Sequence, residues 1–157
     1  MKQQMIKMFF GAIVFAVSVN ATAGEPSLVG TWYGHATLVD CATQQPVAGV
    51  PVFNDYRTIG TGGTFVQSQA FDFHRSPSHG IWKKTASLTY ATRYNNFRFD
   101  ANSSDAFTGH AEVREVVSMA KSGKAFTATA SVKVYDAEGN LEDSRCTTET
   151  AERMIFD

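Results

Sequence analysis

The sequence predicts an all-β protein: an eight-stranded antiparallel up-and-down barrel that closes on itself. Three observations lead to this prediction. Segments rich in Val, Thr, Phe and Tyr alternate with short runs of Gly, Asn, Asp and Ser, the composition of strands and turns. Within the segments, apolar and polar residues alternate with a period of two, as in strands with one buried face. Beyond the first two dozen residues, no segment has a helical period.

Turn residues place the breaks between the strands. Gly60–Gly63 separates the second strand from the third, Ser122-Gly123 the sixth from the seventh, and Glu138–Asn140 the last two. Such residues favour the tight turns that join antiparallel neighbours. We expect the strands, β1 to β8 in chain order, at 29–41, 50–59, 63–73, 79–86, 88–100, 107–119, 124–135 and 141–154.

The alternation also assigns a face to each residue of a strand. On β7, small and apolar residues occupy the even positions, while Thr, Ser and Lys occupy the odd ones. The same contrast appears on β6 and β1. The set that we expect to point inward comprises Phe126, Ala128, Ala130, Val132 and Val134 on β7, Phe107, Gly109, Ala111, Val113, Val117 and Met119 on β6, and Trp32, Gly34, Ala36 and Leu38 on β1.

The N-terminal segment has the pattern of a secretory signal peptide. Lys2 and Lys7 precede an apolar stretch of about a dozen residues, which is too short to span a bilayer. Ala21-Thr22-Ala23 fits the small-residue cleavage site. We therefore expect residues 1–23 to be cleaved, residues 24–157 to form a single barrel domain, and the protein to be exported to the periplasm or the extracellular space, with no membrane anchor after cleavage.

The charge composition argues against a nucleic-acid-binding protein. Fourteen basic and 15 acidic residues give a net charge of −1, and no cluster of Lys and Arg forms the basic patch that nucleic acid requires. We expect a monomer or a weak oligomer.

Two cysteines, Cys41 and Cys146, are present. In an oxidising compartment an even pair predicts a disulfide. It would close a loop of about 105 residues and stabilise the fold by roughly 4 kcal/mol in the chain-entropy model.

The cysteine pair also suggests a register for β1 and β8. Placing the two cysteines opposite each other pairs Trp32 with Ile155 and Gly34 with Arg153. Directly opposed residues share a face, so the odd-numbered residues of β8 point inward with Trp32. The hairpin between β7 and β8 independently gives the same parity. Pairing the first strand with the last closes the barrel and removes its exposed edges.

The segment Gly30-Thr31-Trp32-Tyr33 at the start of β1, together with Arg153 at the end of β8, resembles the lipocalins and related calycin barrels. In that family an Arg near the end of the chain stacks over the Trp and seals one end of the barrel. The resemblance implies a structural role for Trp32 and Arg153 and an interior that binds a small molecule. A counterpart of the family's Thr-Asp-Tyr triplet is not found.

The inward parity places three charged residues inside the barrel: Glu115 on β6, and Arg145 and Glu149 on β8. Buried charges need partners, and only β7 separates these two strands, so we expect one polar cluster. It is either a structural ion pair, a polar anchor for a ligand, or the setting of an acid catalyst with a raised pKa.

Aromatic residues form the second group of candidate ligand contacts. Phe65 and Phe71 share a face of β3, and Tyr90 and Tyr94 share a face of β5. An eight-stranded barrel is just wide enough to hold side chains or one small ligand. These rings would therefore either fill the core or line a pocket, and the small inward residues of β1, β6 and β7 favour the pocket.

No metal or cofactor site is expected. His35 and His110 fall on outward faces, while His74 and His79 flank the loop between β3 and β4, where His79 is a weak site candidate. The spacing of zinc ligands and the motifs of hydrolases, nucleotide-binding proteins and kinases do not occur, so we assign no catalytic residues.

Three functions remain open. The favoured one is an exported barrel that binds a small apolar or amphipathic ligand in its interior through Glu115, Arg145, Glu149, Phe65, Phe71, Tyr90 and Tyr94. The second is an isomerase or cyclase on a barrel like that of allene oxide cyclase. The third is a filled barrel that acts only through its surface. Fold alone does not choose among them.

Overall fold

The structure, a computed structural model, describes residues 25–70, 74–102 and 106–156. The predicted signal peptide, residues 1–23, lies outside these ranges, as does Phe71. Within the described ranges, eight antiparallel strands form one closed sheet in which each strand pairs with the next in the chain and β8 pairs with β1. The predicted all-β closed barrel is confirmed.

The strands follow the predicted segments closely. The largest differences are at the start of β2, which begins after Pro51 because proline cannot donate to a ladder, and at the end of β3. The bounds are Gly30–Val39 for β1, Phe53–Ile59 for β2, Thr64–Gln69 for β3, Ser78–Ala86 for β4, Thr89–Phe99 for β5, Phe107–Met119 for β6, Ala125–Tyr135 for β7 and Leu141–Arg153 for β8.

The predicted inward faces of β1, β6 and β7 point into the barrel, and most of their side chains are buried. The exceptions lie towards one rim of the barrel: Phe107 is 49% exposed, and Leu38 and Val132 are half-buried. This rim is therefore more open than the opposite end, where the largest apolar side chains pack.

The register between β1 and β8 corrects the prediction. Trp32 pairs with Arg153, and Val39 pairs with Cys146, whereas directly opposed cysteines would have set Trp32 against Ile155. The actual register differs by two residues. Because a shift of two preserves the parity of a strand, the predicted inward faces remain correct.

The disulfide explains this shift. Cys41 does not belong to β1; it lies in the turn that follows Val39. Asp40 stabilises that turn by accepting hydrogen bonds from the backbone of the next residues, at 3.0 and 2.8 Å. From the turn, Cys41 bonds to Cys146 with the two Cα atoms 5.1 Å apart. The predicted disulfide is present, but it joins a turn to a strand.

The closed end of the barrel is built around Trp32, which is fully buried. The guanidinium carbon of Arg153 lies 4.2 Å from the centre of a Trp32 ring, and Phe126 packs edge-on at 4.9 Å. The indole Nε1 donates to the backbone oxygen of Leu28 at 2.9 Å. Arg153 also donates to backbone oxygens of the N-terminal segment and of the β6–β7 turn. This is the arrangement that the family resemblance implies.

Candidate functional site

A buried arginine, Arg57 of β2, occupies the middle of the barrel with only 1% of its surface exposed. Its guanidinium contacts three carboxyl groups. Nη2 donates to Asp55 Oδ2 at 2.8 Å and to Glu149 Oε2, and Nη1 donates to both oxygens of Glu115 at 3.1 Å. One cation thus joins β2, β6 and β8 through the barrel interior.

Polar and aromatic neighbours complete this cluster. Thr92 donates to Glu115 Oε2 at 2.8 Å, and Gln67 donates to Asp55 Oδ2. The rings of Phe65 and Phe126 lie 5.6 and 5.3 Å from the guanidinium carbon of Arg57, within the range of a cation–π contact. Buried charges are tolerated only when they are paired and hydrogen-bonded, and the charged groups of this cluster largely meet that condition.

The electrostatics of the cluster depend on burial and on the three acids. Burial alone would lower the pKa of Arg57, but Glu115, Glu149 and Asp55 outweigh it and raise the pKa well above its ordinary value. Arg57 therefore stays charged. Burial raises the pKa of Glu149 well above normal, and Arg57 only partly offsets this effect. Burial likewise raises the pKa of Tyr94, so its phenol stays neutral.

The sequence placed two of the cluster's acids correctly and its cation wrongly. Glu115 and Glu149 come together as expected. Arg145 does not join them: its side chain is 48% exposed and pairs with Asp143 at 2.5 Å. It points towards the open rim, where β8 side chains reach solvent. Arg57 was missed, although Phe53 and Ile59 on the same face of β2 indicate that it points inward.

The predicted aromatic contacts belong to the interior packing. Phe65, Tyr90 and Tyr94 are buried. The rings of Phe65 and Tyr94 stack with centres 4.5 Å apart, and the Tyr90 hydroxyl donates to the backbone oxygen of Pro26 at 2.9 Å. These three rings pack within the closed half and around the charged cluster.

The small inward residues make room for the charged side chains. Ala128 lies directly opposite Glu149, and Ala130 lies opposite Glu115. Gly34 lies beneath the carboxyl groups of Asp55 and Glu149. The space that the sequence suggested for a ligand is therefore filled, at this level of the barrel, by the cluster.

A second candidate site lies on the outer face of the barrel. It is an open groove of about 850 Å³ that crosses β4 to β8. Two cross-strand rows of outward residues form its floor: Ile81, Arg93, Arg114, Ser131 and Cys146 in one, and Lys83, Ala91, Val116 and Thr129 in the other.

The groove combines exposed apolar side chains with cations. Ile81 is 65% exposed and Val116 is 52% exposed. Lys83, Arg93 and Arg114 stand beside them. Among the lining residues, the only acid is Glu115, which points inward to Arg57. The outer surface of the groove is thus apolar and positive.

Glu112 flanks the groove and orients both of its arginines. Arg114 Nε donates to Glu112 at 2.7 Å, and Arg93 Nη2 donates at 3.2 Å. The hydrogen bond from Arg114, more than any other contact, lowers the pKa of Glu112. One carboxylate therefore fixes two guanidinium groups while neutralising only part of their charge.

The histidines do not converge on a metal site. His35 Nδ1 donates a hydrogen bond to Asn54 Oδ1 at 2.8 Å, His110 stacks on Tyr135, and His79 is exposed on β4. Within the residues that the structure describes, no group of three or more His, Cys, Asp or Glu is arranged to hold a metal ion. The same part of the chain has no helix that is long and apolar enough to cross a membrane.

Comparison with known proteins adds no assignment: no family model, no curated protein and no solved structure gives a significant match to the chain.

Proposed function

We propose that this protein is an exported binding protein with a filled barrel, and that it holds an anionic amphipathic molecule in the outer groove. The observation that supports this function is the pairing of exposed Ile81 and Val116 with three cations in one groove. A volume of about 850 Å³ falls within the usual range of small-molecule sites.

The groove can contact both the aliphatic part and the anionic head of such a ligand. Its aliphatic part would lie along Ile81, Ala91 and Val116 and remove their apolar surface from water. Its anionic head would lie between the cations of the two rows. Arginine forks bind carboxylates in two-point geometry, and Glu112 holds both arginines in place. A long-chain carboxylate is the simplest compound with this chemistry.

Export and membership of the calycin barrels are part of the same proposal. The Cys41–Cys146 disulfide is typical of oxidising compartments and agrees with the signal peptide expected at residues 1–23. The stack of Arg153 on Trp32 resembles the closed end of lipocalins. This chain would differ from them in binding its ligand outside the barrel.

Titration calorimetry with dodecanoate tests the proposal on the mature protein. Lys83→Glu reverses a groove charge and should weaken binding about three- to tenfold. Val116→Ser removes apolar contact and should weaken it by a similar factor. Lys121→Glu, in the β6–β7 turn, and Val66→Ser, at an exposed position on β3, are matched controls and should bind normally. Failure of dodecanoate to bind, or equal losses in variants and controls, would contradict the proposal.

The barrel interior is the second candidate site. Several buried polar atoms there, including Gln67 Oε1 and both side-chain polar atoms of Asn96, have no hydrogen-bond partner within the part of the chain that the structure describes, so a polar ligand could satisfy them. Methyl and amide NMR shifts on ligand addition separate the two sites: groove binding should perturb Val116, whereas interior binding should perturb Val113 and Val117. Turnover of a bound lipid that Glu115→Gln abolishes would instead support the isomerase or cyclase hypothesis.

A further inference from the structure

Two carboxyl oxygens in the barrel interior lie close to one point above Gly34, and neither has a hydrogen-bond donor among the described residues. Asp55 Oδ1 and Glu149 Oε1 both lack a partner. Both lie above Gly34: a Cβ atom built on that glycine would be 2.6 Å from Glu149 Oε1 and closer still to Asp55 Oδ1. The two oxygens therefore converge on the same small space.

Arg57 fixes the other side of this pair. Its Nη2 atom donates to Asp55 Oδ2 and to Glu149 Oε2. The two carboxyl groups are thus joined by one nitrogen through one oxygen of each, and their other oxygens both lie close to Gly34. The geometry brings an acid of β2 and an acid of β8 together across β1, whose Gly34 leaves room for both.

Bulk solvent does not reach these two oxygens. The side chain of Asp55 is fully buried and that of Glu149 is 5% exposed, and the two oxygens themselves have essentially no accessible surface. Two ionised carboxylates in this position would repel each other in a medium that screens charge poorly. A single proton between them removes the repulsion and supplies the missing donor.

We propose that Glu149 is protonated in the folded protein at neutral pH and donates its Oε1–H to Asp55 Oδ1, so that a shared proton fastens β8 to β2 inside the barrel. Asp55 is the acceptor because its Oδ2 already accepts bonds from both Arg57 and Gln67, whereas Glu149 Oε2 accepts from Arg57. Burial disfavours the charged form of Glu149 and raises its pKa. This effect also supports a protonated Glu149.

The groups around the pair fit this assignment. With Glu149 neutral, Arg57 faces two anions, Asp55 and Glu115, rather than three, so the cluster carries less excess negative charge. Tyr94 of β5 is the other titratable neighbour, and it stays neutral. The remaining strands present uncharged inward residues at this level, namely Gly34 on β1, Gln67 on β3, Ser78 on β4 and Ala128 on β7.

The shared proton makes the interior sensitive to alkaline pH. When the solution pH rises through the pKa of Glu149, the proton leaves and the two facing oxygens become like charges. The pairing of β2 and β8 through the core then weakens, while the disulfide and the Trp32–Arg153 stack still hold the barrel closed. The contribution of the shared proton to stability is therefore full in acid and is lost as the pH rises towards the raised pKa of Glu149.

The direct test is a ¹³C NMR titration of protein labelled at the glutamate carboxyl carbons. The Glu149 signal, assigned by through-bond correlation to its own backbone, should have the chemical shift of a carboxylic acid at neutral pH. A carboxylate shift at neutral pH would overturn the proposal. This measurement uses the unmodified protein, so it stands even if a variant fails to fold.

A pair of isosteric variants gives a second readout. In Glu149→Gln the amide N–H replaces the acid proton, so the bond to Asp55 survives and the variant should fold and resist urea at neutral pH at least as well as the unmodified protein does. In Glu115→Gln one oxygen that accepts from Arg57 becomes an amide donor facing a donor, so this control should be clearly less stable. Equal destabilisation by the two changes would show that Glu149 is an ordinary carboxylate partner of Arg57 and would overturn the proposal.

Discussion

Trp32 and Arg153 lie directly opposite each other on the first and last strands, with the guanidinium carbon 4.2 Å from the centre of an indole ring. Because Arg153 also binds three backbone oxygens, the pair closes the sheet and caps one end of the barrel at the same time.

Replacing Trp32 by Ala should therefore destabilise the protein by about 3–5 kcal/mol, since it empties a fully buried aromatic site. Phe156→Ala is the control, because Phe156 is fully exposed and its loss should change stability by less than about 0.5 kcal/mol. Urea unfolding followed by circular dichroism measures both. A cost for Trp32→Ala as small as that of the control would show that the stack is not structural.

Removing the disulfide should lower stability by about 4 kcal/mol in the chain-entropy model, because the bond closes a separation of 105 residues. The double variant Cys41→Ala/Cys146→Ala should unfold at lower urea concentration than the oxidised protein. Adding a reductant should move the oxidised protein to the same midpoint and leave the variant unchanged. A midpoint that does not respond to reductant would contradict the prediction.

The stability of the barrel should fall as pH rises above about 4.3, the ordinary pKa of Glu, and continue to fall up to the raised pKa of Glu149. In this window the folded protein keeps the proton that the unfolded chain has released. Unfolding therefore releases a proton, and higher pH favours the unfolded state. Urea midpoints across this range should show the slope, and Glu149→Gln should lack it.

Carboxyl groups with lowered pKa values have the opposite effect on the pH dependence of stability: in the acid range they make stability fall as the pH decreases. Glu112 is held low chiefly by Arg114, and Asp136 by the side chain of Asn140. Their contributions are present above the ordinary pKa values and are lost as pH falls through the lowered ones. The full pH profile should therefore have a maximum at mildly acidic pH, and a maximum in alkali would contradict the assignment of Glu149.

Replacing Gly34 by Ala should cost about 1–3 kcal/mol, because the added methyl group overlaps the carboxyl groups of Asp55 and Glu149. Glu149→Ala removes one of the two clashing groups. The double variant should therefore cost less than the sum of the single changes, as urea unfolding of the four proteins can measure. Strict additivity would indicate that Gly34 and Glu149 do not share a space.

The fold was predictable because local patterns report it directly. On β7, alternation separates a buried face from an exposed one over the whole strand, and turn residues mark both of its ends. The parity argument also survived an incorrect register, since an error of two residues leaves every side chain on its own face. Burial of one face is thus a stronger signal than the pairing of particular residues.

The centre of the barrel was harder to predict because it depends on which side chains meet in three dimensions. Arg57 and Arg145 both have inward parity, yet Arg57 is fully buried and Arg145 reaches solvent. The two arginines differ in their position along the barrel axis, which depends on strand tilt and stagger. The sequence indicates which face of a strand a residue occupies but not its position along the barrel axis. The prediction therefore paired Glu115 and Glu149 with the wrong arginine. The outer groove was missed for a related reason, since its rows are assembled from residues on five strands.

The seam between β1 and β8 is fastened near both ends, by the disulfide at one and by the Trp32–Arg153 stack at the other. Its ladder runs over eight residue pairs, whereas the ladder between β3 and β4 has four. We therefore expect native-state fluctuations to part the wall between β3 and β4 first, so that its amide protons exchange with solvent sooner than those of the seam. The place where the chain ends meet would then be the most persistent part of the barrel, and its weak side would lie in the middle of the chain.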